Sequence, residues 1–338
     1  MSDMGDNKGE KNVETQTGGA PLTEGTTSRR ADGQEGSAAP AKEQAAASGA
    51  KPAAAAEKAG DVGQKDGGKH PSTMTMRIVS GAIYAIGTVA CLFLGTWPTA
   101  ILIAVMAFLC CSEFLKMSRR SGRMPNDVIA LAFAVIFPFA PLSNISDSEF
   151  FVIFALLVVC ALWYVSTPRA NMGDVALTVF GPIYTSLAFS SIVIIRDAFP
   201  GWRGALLTFA VMGSIWLSDS CAYFVGSKFG KHKLAPRISP NKSVEGFWGG
   251  MVGSVAVWVV VFALGIYNIN LPYAIVCGVL VDAAAVAGDL FESRIKRGVG
   301  VKDSGNLMPG HGGMLDRSDS LLFGGMTAFL LLRLGGIL

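Results

Sequence analysis

Charged residues are scarce in this chain. Only 16% of its 338 residues are Asp, Glu, Lys or Arg, whereas 51% are hydrophobic and the mean hydropathy is +0.45. So little charge on so apolar a chain excludes an ordinary soluble domain and is typical of a protein that crosses a membrane several times. The net charge of +3 gives no reason to expect a nucleic-acid partner.

Cysteine pairs with metal-site or disulfide spacing are also absent from the sequence. The six cysteines all fall in apolar runs, and no C-x-x-C occurs. We therefore expect reduced packing residues, and the sequence predicts neither a disulfide framework nor a zinc site.

Aromatic residues are missing from the first 74 positions, which are rich in Gly, Ala, Glu, Lys, Ser and Thr. Such a segment cannot bury enough apolar surface to offset its ordering entropy, so residues 1–74 are predicted to form a disordered tail. No apolar stretch follows Met1, which argues against a secretory signal.

Long apolar runs dominate the rest of the chain. We count nine of spanning length, which predict an all-α integral membrane domain of about nine transmembrane helices over residues 75–338. Their approximate ranges are 77–95, 98–115, 127–143, 149–166, 173–195, 203–225, 246–267, 271–291 and 318–335.

The basic residues between these runs predict an orientation. If the tail is cytoplasmic, fifteen Lys and Arg fall on its side of the membrane, against Arg196 and Arg203 in the opposite loops and Arg333 near the last helix end. By the positive-inside rule, the N-terminus and the charged loops are expected in the cytoplasm of a multi-pass cell-membrane protein. The fifteen are Lys116, Arg119, Arg120, Arg123, Arg169, Lys228, Lys231, Lys233, Arg237, Lys242, Arg294, Lys296, Arg297, Lys302 and Arg317.

One stretch, residues 288–320, concentrates acids, bases and glycines. Asp289, Glu292 and Lys296 share one helix face that begins inside an apolar run, where an ionised carboxylate is costly and usually functional. The glycines around His311 can turn backbone amides toward an anion. Carboxylates suit Mg²⁺, and Mg²⁺ with basic side chains suits a polyphosphate, so the stretch indicates phosphoryl or nucleotidyl transfer. The alternative is a solvated loop that merely connects two helices.

A second charged stretch begins with Asp219 in the sixth apolar run. Ser239, Lys242 and Ser243 then precede a glycine-rich helix start, and together they offer hydroxyls, a point charge and a helix N-terminus to an anion. Asp219 could instead join two helices by a hydrogen bond, and Ser243 could be an N-cap beside glycines that let helices pack closely.

Both stretches resemble the phosphatidate cytidylyltransferases, also called CDP-diacylglycerol synthases. The resemblance is clear from about residue 200 to 320 and only architectural before that. The sequence departs from the family pattern at Asn241, where a Lys is expected, and at Ser243, Met308 and Ser318. The matching residues are Asp219, Ala222, Tyr223, Gly226, Ser239, Pro240, Lys242, Glu245, Gly246, Gly249 and Gly250, then Ser293, Lys296, Arg297, Lys302, Asp303, Gly305, Pro309, His311, Gly312, Gly313, Asp316, Arg317 and Asp319.

The resemblance implies a reaction in which CTP and phosphatidic acid give CDP-diacylglycerol and pyrophosphate, with carboxylates that hold Mg²⁺ and leave room for a second cation. By similarity, Asp289, Asp316 and Asp303 are expected to bind metal, and Ser239, Lys242, Ser243, Gly312 and Gly313 to bind substrate. The expected partners are CTP, phosphatidic acid and the bilayer, and a homodimer is compatible with the sequence. The residues expected to act in catalysis are Asp219, Lys296, Arg297, Lys302, His311 and Arg317.

Three other functions are alternatives to the cytidylyltransferase reaction. A CTP-dependent lipid-alcohol kinase shares the nucleotide but would not require the whole charged run. A cation-coupled transporter would use intramembrane Asp282 and Asp289, but it predicts ionisable residues in several helices, and the first five runs hold almost none. A phosphatidyltransferase would carry a different aspartate pattern on one helix, which the sequence lacks.

Deletion of residues 1–70 is expected to leave turnover unchanged, because the tail contributes no residue to either charged stretch. The specific activity of the purified truncated protein checks this. A large loss relative to the full chain would contradict it.

Overall fold

The structure is a computed structural model that describes residues 73–143, 145–307 and 312–338. The side chains of residues 73–80 are not described. The predicted disordered tail therefore lies almost wholly outside the described residues, and His311 lies outside them too. The described residues all belong to one compact unit, Gly67–Leu338.

The described chain is helical apart from one short hairpin, as the sequence predicts. Each of the nine predicted runs coincides with a helix or with two helices in series. The elements are α1 (Thr73–Leu94), α2 (Thr96–Arg120), α3 (Asp127–Ile136) with a 3₁₀ turn (Phe137–Leu142), α4 (Ser148–Ser166), α5 (Met172–Pro182), a π segment (Ile183–Leu187), α6 (Ala188–Asp197), α7 (Trp202–Phe229), β1 (Lys233–Ala235), β2 (Ser239–Ser243), α8 (Val244–Ala263), α9 (Leu271–Gly298) and α10 (Leu315–Leu334).

Six of the described helical segments are long and apolar enough to cross a membrane: α2, α4, the continuous α5–α6 segment, α7, α8 and α9. The protein is thus a multi-pass membrane protein, but the predicted count of nine spans is not confirmed. Only the Gly81–Leu94 part of α1 is described with its side chains, and this part is too short to count as a span; α3 with its 3₁₀ turn is short as well. α10 has 20 residues but carries Asp316, Arg317 and Asp319 at one end and Arg333 at the other.

Glycines allow the last four helices to pack closely. α8 packs against α7 and α9, and α10 packs against α9. A methyl group added at Gly250 would lie 2.8 Å from the Ser218 hydroxyl of α7, and one added at Gly278 would lie 2.6 Å from the Val255 Cα of α8. Helices in a membrane associate by such close approach of small residues, because lipid provides no hydrophobic driving force between them.

The end of the bundle opposite the charged stretches is fastened by two arginines. Arg196 is buried, and its Nε donates to the carbonyl of Leu92 at 2.7 Å, at the last turn of α1. Arg203 donates to the carbonyl of Ile266 at 2.7 Å, just after α8. Cations at helix C-terminal ends satisfy carbonyls that lack a partner within the helix. Both arginines of the predicted non-cytoplasmic loops therefore have a structural use.

Substitution of Gly278 by Ala is expected to lower the melting temperature of the detergent-purified protein, because the new methyl group would meet the backbone of α8 and overpacking costs about 1–3 kcal/mol. Gly213→Ala is the matched control, since a methyl group at Gly213 in α7 would meet no atom within 4 Å. Equal melting temperatures for the two variants would contradict close packing of α8 and α9.

Candidate active site

One cavity of about 650 Å³ brings the two charged stretches of the sequence together. It lies between the C-terminal part of α7, the hairpin and start of α8, the C-terminal half of α9, the following loop and the start of α10. The polar residues that line it are Asp219, Ser227, Asn241, Lys242, Ser243, Asp289, Lys296, Asp303, Asp316, Arg317, Asp319 and Ser320.

The hairpin places Lys242 over α9. Its strands are antiparallel, with Lys233 opposite Ser243 and Ala235 opposite Ser239. Ser243 ends β2 and caps α8, because its side chain accepts the amide of Gly246 at 3.1 Å. With the strand end fixed, the Lys242 ammonium lies 2.6 Å from an Asp289 carboxylate oxygen, and about a quarter of each side chain is exposed. The two sequence stretches therefore meet in an ion pair at the cavity.

Lys296 forms the second charged contact of the cavity. It is buried and pairs with two carboxylates, Glu292 one turn earlier on α9 and Asp316 at the start of α10, the latter at 2.6 Å. The shared face predicted for Glu292 and Lys296 is thus present, and Asp316 completes it from another helix. Breaking such a buried cluster by removal of one partner leaves an uncompensated charge.

Asp316 is held on all sides by the protein itself. One of its oxygens accepts from Lys296, and the other accepts from the amides of Ser304 at 2.9 Å and Gly313 at 2.7 Å and from the Ser304 hydroxyl at 3.0 Å. Burial alone would raise the pKa of Asp316, but the hydrogen bonds from Lys296 and the amides lower it below its ordinary value. Asp316 lies outside the six candidate spans, and its lowered pKa favours the ionised carboxylate.

Asp219 on α7 and Asp319 on α10 add two further carboxylates to the cavity lining. Asp219 is exposed, whereas Asp319 is buried and accepts the amide of Ser320 at 2.8 Å. Asp282, one turn of helix deeper than Val286 of the lining, is buried and accepts the hydroxyl of Ser218. Sequence reasoning assigned no role to Asp319, although its spacing of three from Asp316 places both on one face of α10.

The predicted metal ligands can be compared with the donor set of the cavity. Carboxylate oxygens are the donors that Mg²⁺ prefers, and five aspartates line the cavity. Among the described residues, however, no three His, Cys, Asp or Glu side chains converge closely enough to hold a metal ion. One oxygen of Asp289 is paired with Lys242 and the other accepts the Ser293 hydroxyl at 3.3 Å, whereas the two oxygens of Asp316 accept from Lys296, Ser304 and Gly313. The donor chemistry thus fits a divalent cation, with Asp289 and Asp219 less encumbered than Asp316.

Several predicted site residues are not among those that line the cavity. Arg297 is exposed and donates to the carbonyl of Val301 at 3.1 Å, and Lys302 is exposed on the loop. Ser239 begins β2 and lies outside the lining. The Gly313 amide points to Asp316, and a methyl group added at Gly312 would lie 2.6 Å from an oxygen of the same Asp316. The catalytic roles predicted for Arg297 and Lys302 and the substrate-binding roles predicted for Ser239, Gly312 and Gly313 stay predictions.

Comparison with known proteins decides the family. Residues 75–335 match the cytidylyltransferase family. The chain belongs to the cytidylyltransferase family. The chain is 34% identical over 256 residues to a phosphatidate cytidylyltransferase of Bacillus subtilis. The match covers 74% of this chain and 94% of the relative.

Two further relatives of this cytidylyltransferase family member carry the same name. The protein from Synechocystis is 31% identical over 281 residues, which cover 74% of this chain and 93% of the relative. The protein from Thermotoga maritima is 32% identical over 276 residues, which cover 76% of this chain and 96% of the relative. The matched region includes both charged stretches of the cavity, since it runs from residue 75 to 335.

Replacing Lys296 by Met is expected to destabilise the protein by about 3–5 kcal/mol, because Glu292 and Asp316 would stay buried without their cation. Thermal unfolding in detergent measures this. Arg294→Met is the matched control, since Arg294 lies half a turn away on α9 and is exposed. Equal unfolding temperatures would contradict the importance of the buried pair.

Proposed function

We propose that this protein is a phosphatidate cytidylyltransferase that converts CTP and phosphatidic acid to CDP-diacylglycerol and pyrophosphate. The observation that carries the proposal is that one cavity gathers Asp219 and Lys242 with six charged residues of the later stretch: Asp289, Lys296, Asp303, Asp316, Arg317 and Asp319. Most of these residues carry the resemblance to that family, and they come from three helices, the hairpin and the loop before α10. Full-length relatives with that name support the same reaction.

The reaction is a single displacement at phosphorus. An oxygen of the phosphatidate phosphate forms a bond to the α-phosphorus of CTP, and the bond from that phosphorus to the oxygen leading to the β-phosphate breaks. Pyrophosphate departs with the electron pair, so no oxidant or reductant is needed. Since the phosphate monoester is already anionic, no general base is required. The protein must bring two anions together and stabilise the leaving charge.

The basic residues of the cavity can meet that requirement. Lys242, Lys296 and Arg317 line it, and of these Lys296 is buried and paired with Asp316. Lys242 is paired with Asp289 here, so a phosphate that binds Lys242 would replace the carboxylate in that pair. Lys296 is already held by two carboxylates, so its contribution is to fix Asp316 rather than to bind phosphate alone.

The excess of negative charge in the cavity calls for a bound divalent cation. Five aspartates and three basic residues line the cavity, so on its own it would repel a nucleoside triphosphate. We propose that Asp289 and Asp219 hold Mg²⁺, with Asp303 and Asp316 as the further carboxylates predicted from sequence. When bound, Mg²⁺ would neutralise phosphate oxygens and stabilise the charge that develops on pyrophosphate.

We also propose that the cavity faces the cytoplasm. The basic loops predicted as cytoplasmic meet at the cavity end of the bundle: α2 ends there at Arg120, and Arg123 donates to Asn171 at 3.1 Å. The arginines of the opposite loops serve as buried or half-buried helix-end contacts. This arrangement supports the positive-inside orientation, in which a soluble nucleotide reaches the headgroup while acyl chains stay in the bilayer.

The test uses detergent-purified protein with cytidine-labelled CTP, Mg²⁺ and short-chain phosphatidic acid. We expect the label to enter the lipid phase with one pyrophosphate released per lipid formed. Asp289→Asn should lower the rate at least about 100-fold, because it removes a carboxylate at the reacting phosphates. Asp127→Asn is the matched control, since Asp127 forms an exposed ion pair with Arg119 outside the cavity.

Other products would overturn the proposal. Formation of CDP together with a phosphorylated lipid alcohol would identify a kinase. Equal rates for Asp289→Asn and Asp127→Asn would remove Asp289 from the reaction even if the activity were present.

Removal of divalent cations is expected to abolish turnover, because the carboxylates of the cavity would then repel CTP. Turnover is measured after treatment with EDTA and again after Mg²⁺ is restored in excess over the chelator. Full activity in EDTA would contradict the proposed role of the cation.

A further inference from the structure

Glu113 is a buried acid on an apolar helix, and the reaction described above does not use it. It lies on α2, a candidate membrane span, and is only 5% exposed. Ionisable residues in such segments are costly and usually have a function. Glu113 is not among the residues that line the 650 Å³ cavity. It lines instead a smaller cavity of about 280 Å³ beside the loop before α10, so it can act on the larger cavity only through other groups.

Every described partner of Glu113 belongs to the loop before α10 or to the start of α10. One carboxylate oxygen accepts the amide of Met314 at 3.0 Å. The other accepts the amide of Leu315 at 2.9 Å and the hydroxyl of Ser304 at 2.8 Å. α10 has no capping side chain of its own at its N-cap position. Glu113 therefore satisfies the first amides of α10 from about 200 positions away in sequence.

The loop is shaped to receive this side chain. A methyl group added at Gly305 would lie 2.7 Å from a carboxylate oxygen of Glu113, and one added at Gly313 would collide with Glu113 and with the Ser304 hydroxyl. A side chain at either position would start inside the contact distance of the carboxylate, so glycine fits there and larger residues do not. Two glycines of the loop thus leave room for Glu113.

Ser304 connects Glu113 to the cavity. Its hydroxyl shares one proton between Glu113 at 2.8 Å and Asp316 at 3.0 Å, and its amide donates separately to Asp316 at 2.9 Å. Asp316 in turn holds Lys296 at 2.6 Å, and both of these side chains line the cavity. A continuous set of hydrogen bonds therefore runs from α2 through the loop to the cavity wall.

We propose that Glu113 is a positioning residue for the transfer reaction, which acts through Ser304 and the start of α10 to fix Asp316 and Lys296. The catalytic effect of Glu113 rests on the proposed function, whereas the hydrogen bonds that it makes do not. Glu113 does not line the 650 Å³ cavity in which the reaction is proposed to occur. Its loss would leave the amides of Met314 and Leu315 without their acceptor and free the loop on which Asp303 enters the cavity.

The test compares Glu113→Gln and Ser304→Ala with Asp174→Asn as matched control. Asp174 is likewise a buried carboxylate that holds a neighbouring loop by accepting amides, from Met124 at 2.8 Å and Asn171 at 3.1 Å, but it lies outside the cavity lining. All three variants remove one buried polar link from the full-length protein. Only the first two remove a link that leads to the cavity.

Both kcat and the KM for CTP are measured with phosphatidic acid in detergent. We expect Glu113→Gln and Ser304→Ala to lower kcat about 10- to 100-fold, because a misplacement of about 1 Å at a reacting centre has effects of this size. KM should change less than threefold, and Asp174→Asn should keep kcat within about threefold of the unaltered protein. The double variant of Glu113 and Ser304 should lose no more than the worse single variant, since the two act as one unit.

Three results would overturn the inference: unchanged kcat in Ser304→Ala, an equal loss of kcat in Asp174→Asn, or multiplied losses in the double variant. Ser304→Ala decides the matter if Glu113→Gln fails to fold, because it only removes a loop hydroxyl.

Hydrogen exchange separates this inference from the proposed function. If the full-length protein does not transfer cytidylyl groups, the proposed function fails, but the geometry can still be tested. Glu113→Gln should then raise amide exchange at Met314 and Leu315 at least tenfold while residues 124 and 171 keep their protection. Unchanged exchange at both amides would overturn the positioning role.

Discussion

The fixed position of Asp316 is the interaction on which the rest of the site depends. Its two oxygens accept four hydrogen bonds from Lys296, Ser304 and Gly313, so the start of α10, the loop and α9 cannot move independently. Hydrogen bonds to an ionised acceptor are shorter and stronger than neutral ones, and at the end of an apolar helix bundle they are poorly replaced by water. The cavity wall is therefore rigid where α9 meets α10.

Around this fixed wall, the remaining charges are held less tightly. Asp289 and Lys242 form one partly exposed ion pair, and Asp219 is open to the cavity. A partly exposed ion pair costs less free energy to separate than a buried one. Lys242 can therefore leave Asp289 to bind a phosphate, and Asp289 can then bind a cation. A site for two anionic substrates requires both a fixed carboxylate, here Asp316, and neighbouring side chains that can change partners when the substrates bind.

Much of this arrangement could be predicted from local sequence. Apolar runs located the helices, because a membrane span must satisfy its backbone within itself, and spacing placed Glu292 and Lys296 on one face. The family resemblance selected Asp219, Lys242, Asp289, Asp316 and Arg317, which the structure brings to one cavity. The count of spans is less predictable, since charges at both ends of α10 leave its apolar part short.

Contacts between distant parts of the chain could not be predicted in this way. The hydrogen bond from Ser304 to Glu113 spans 191 positions, and no periodicity in α2 indicates which loop its carboxylate will meet. The sequence pattern also predicted that the amide of Gly313 would face a bound anion. It faces an anion of the protein, Asp316, because a helix N-terminus accepts any carboxylate placed there.

The most direct test of the account is an experimental structure of the full-length protein with Mg²⁺ and a CTP analogue that cannot release pyrophosphate. The account predicts that the triphosphate lies in the cavity between Lys242 and Arg317, with the cation against Asp289. It also predicts that the contacts of Asp316 with Ser304 and Gly313 stay as they are without nucleotide. A nucleotide bound elsewhere, or an Asp316 released from the loop, would contradict it.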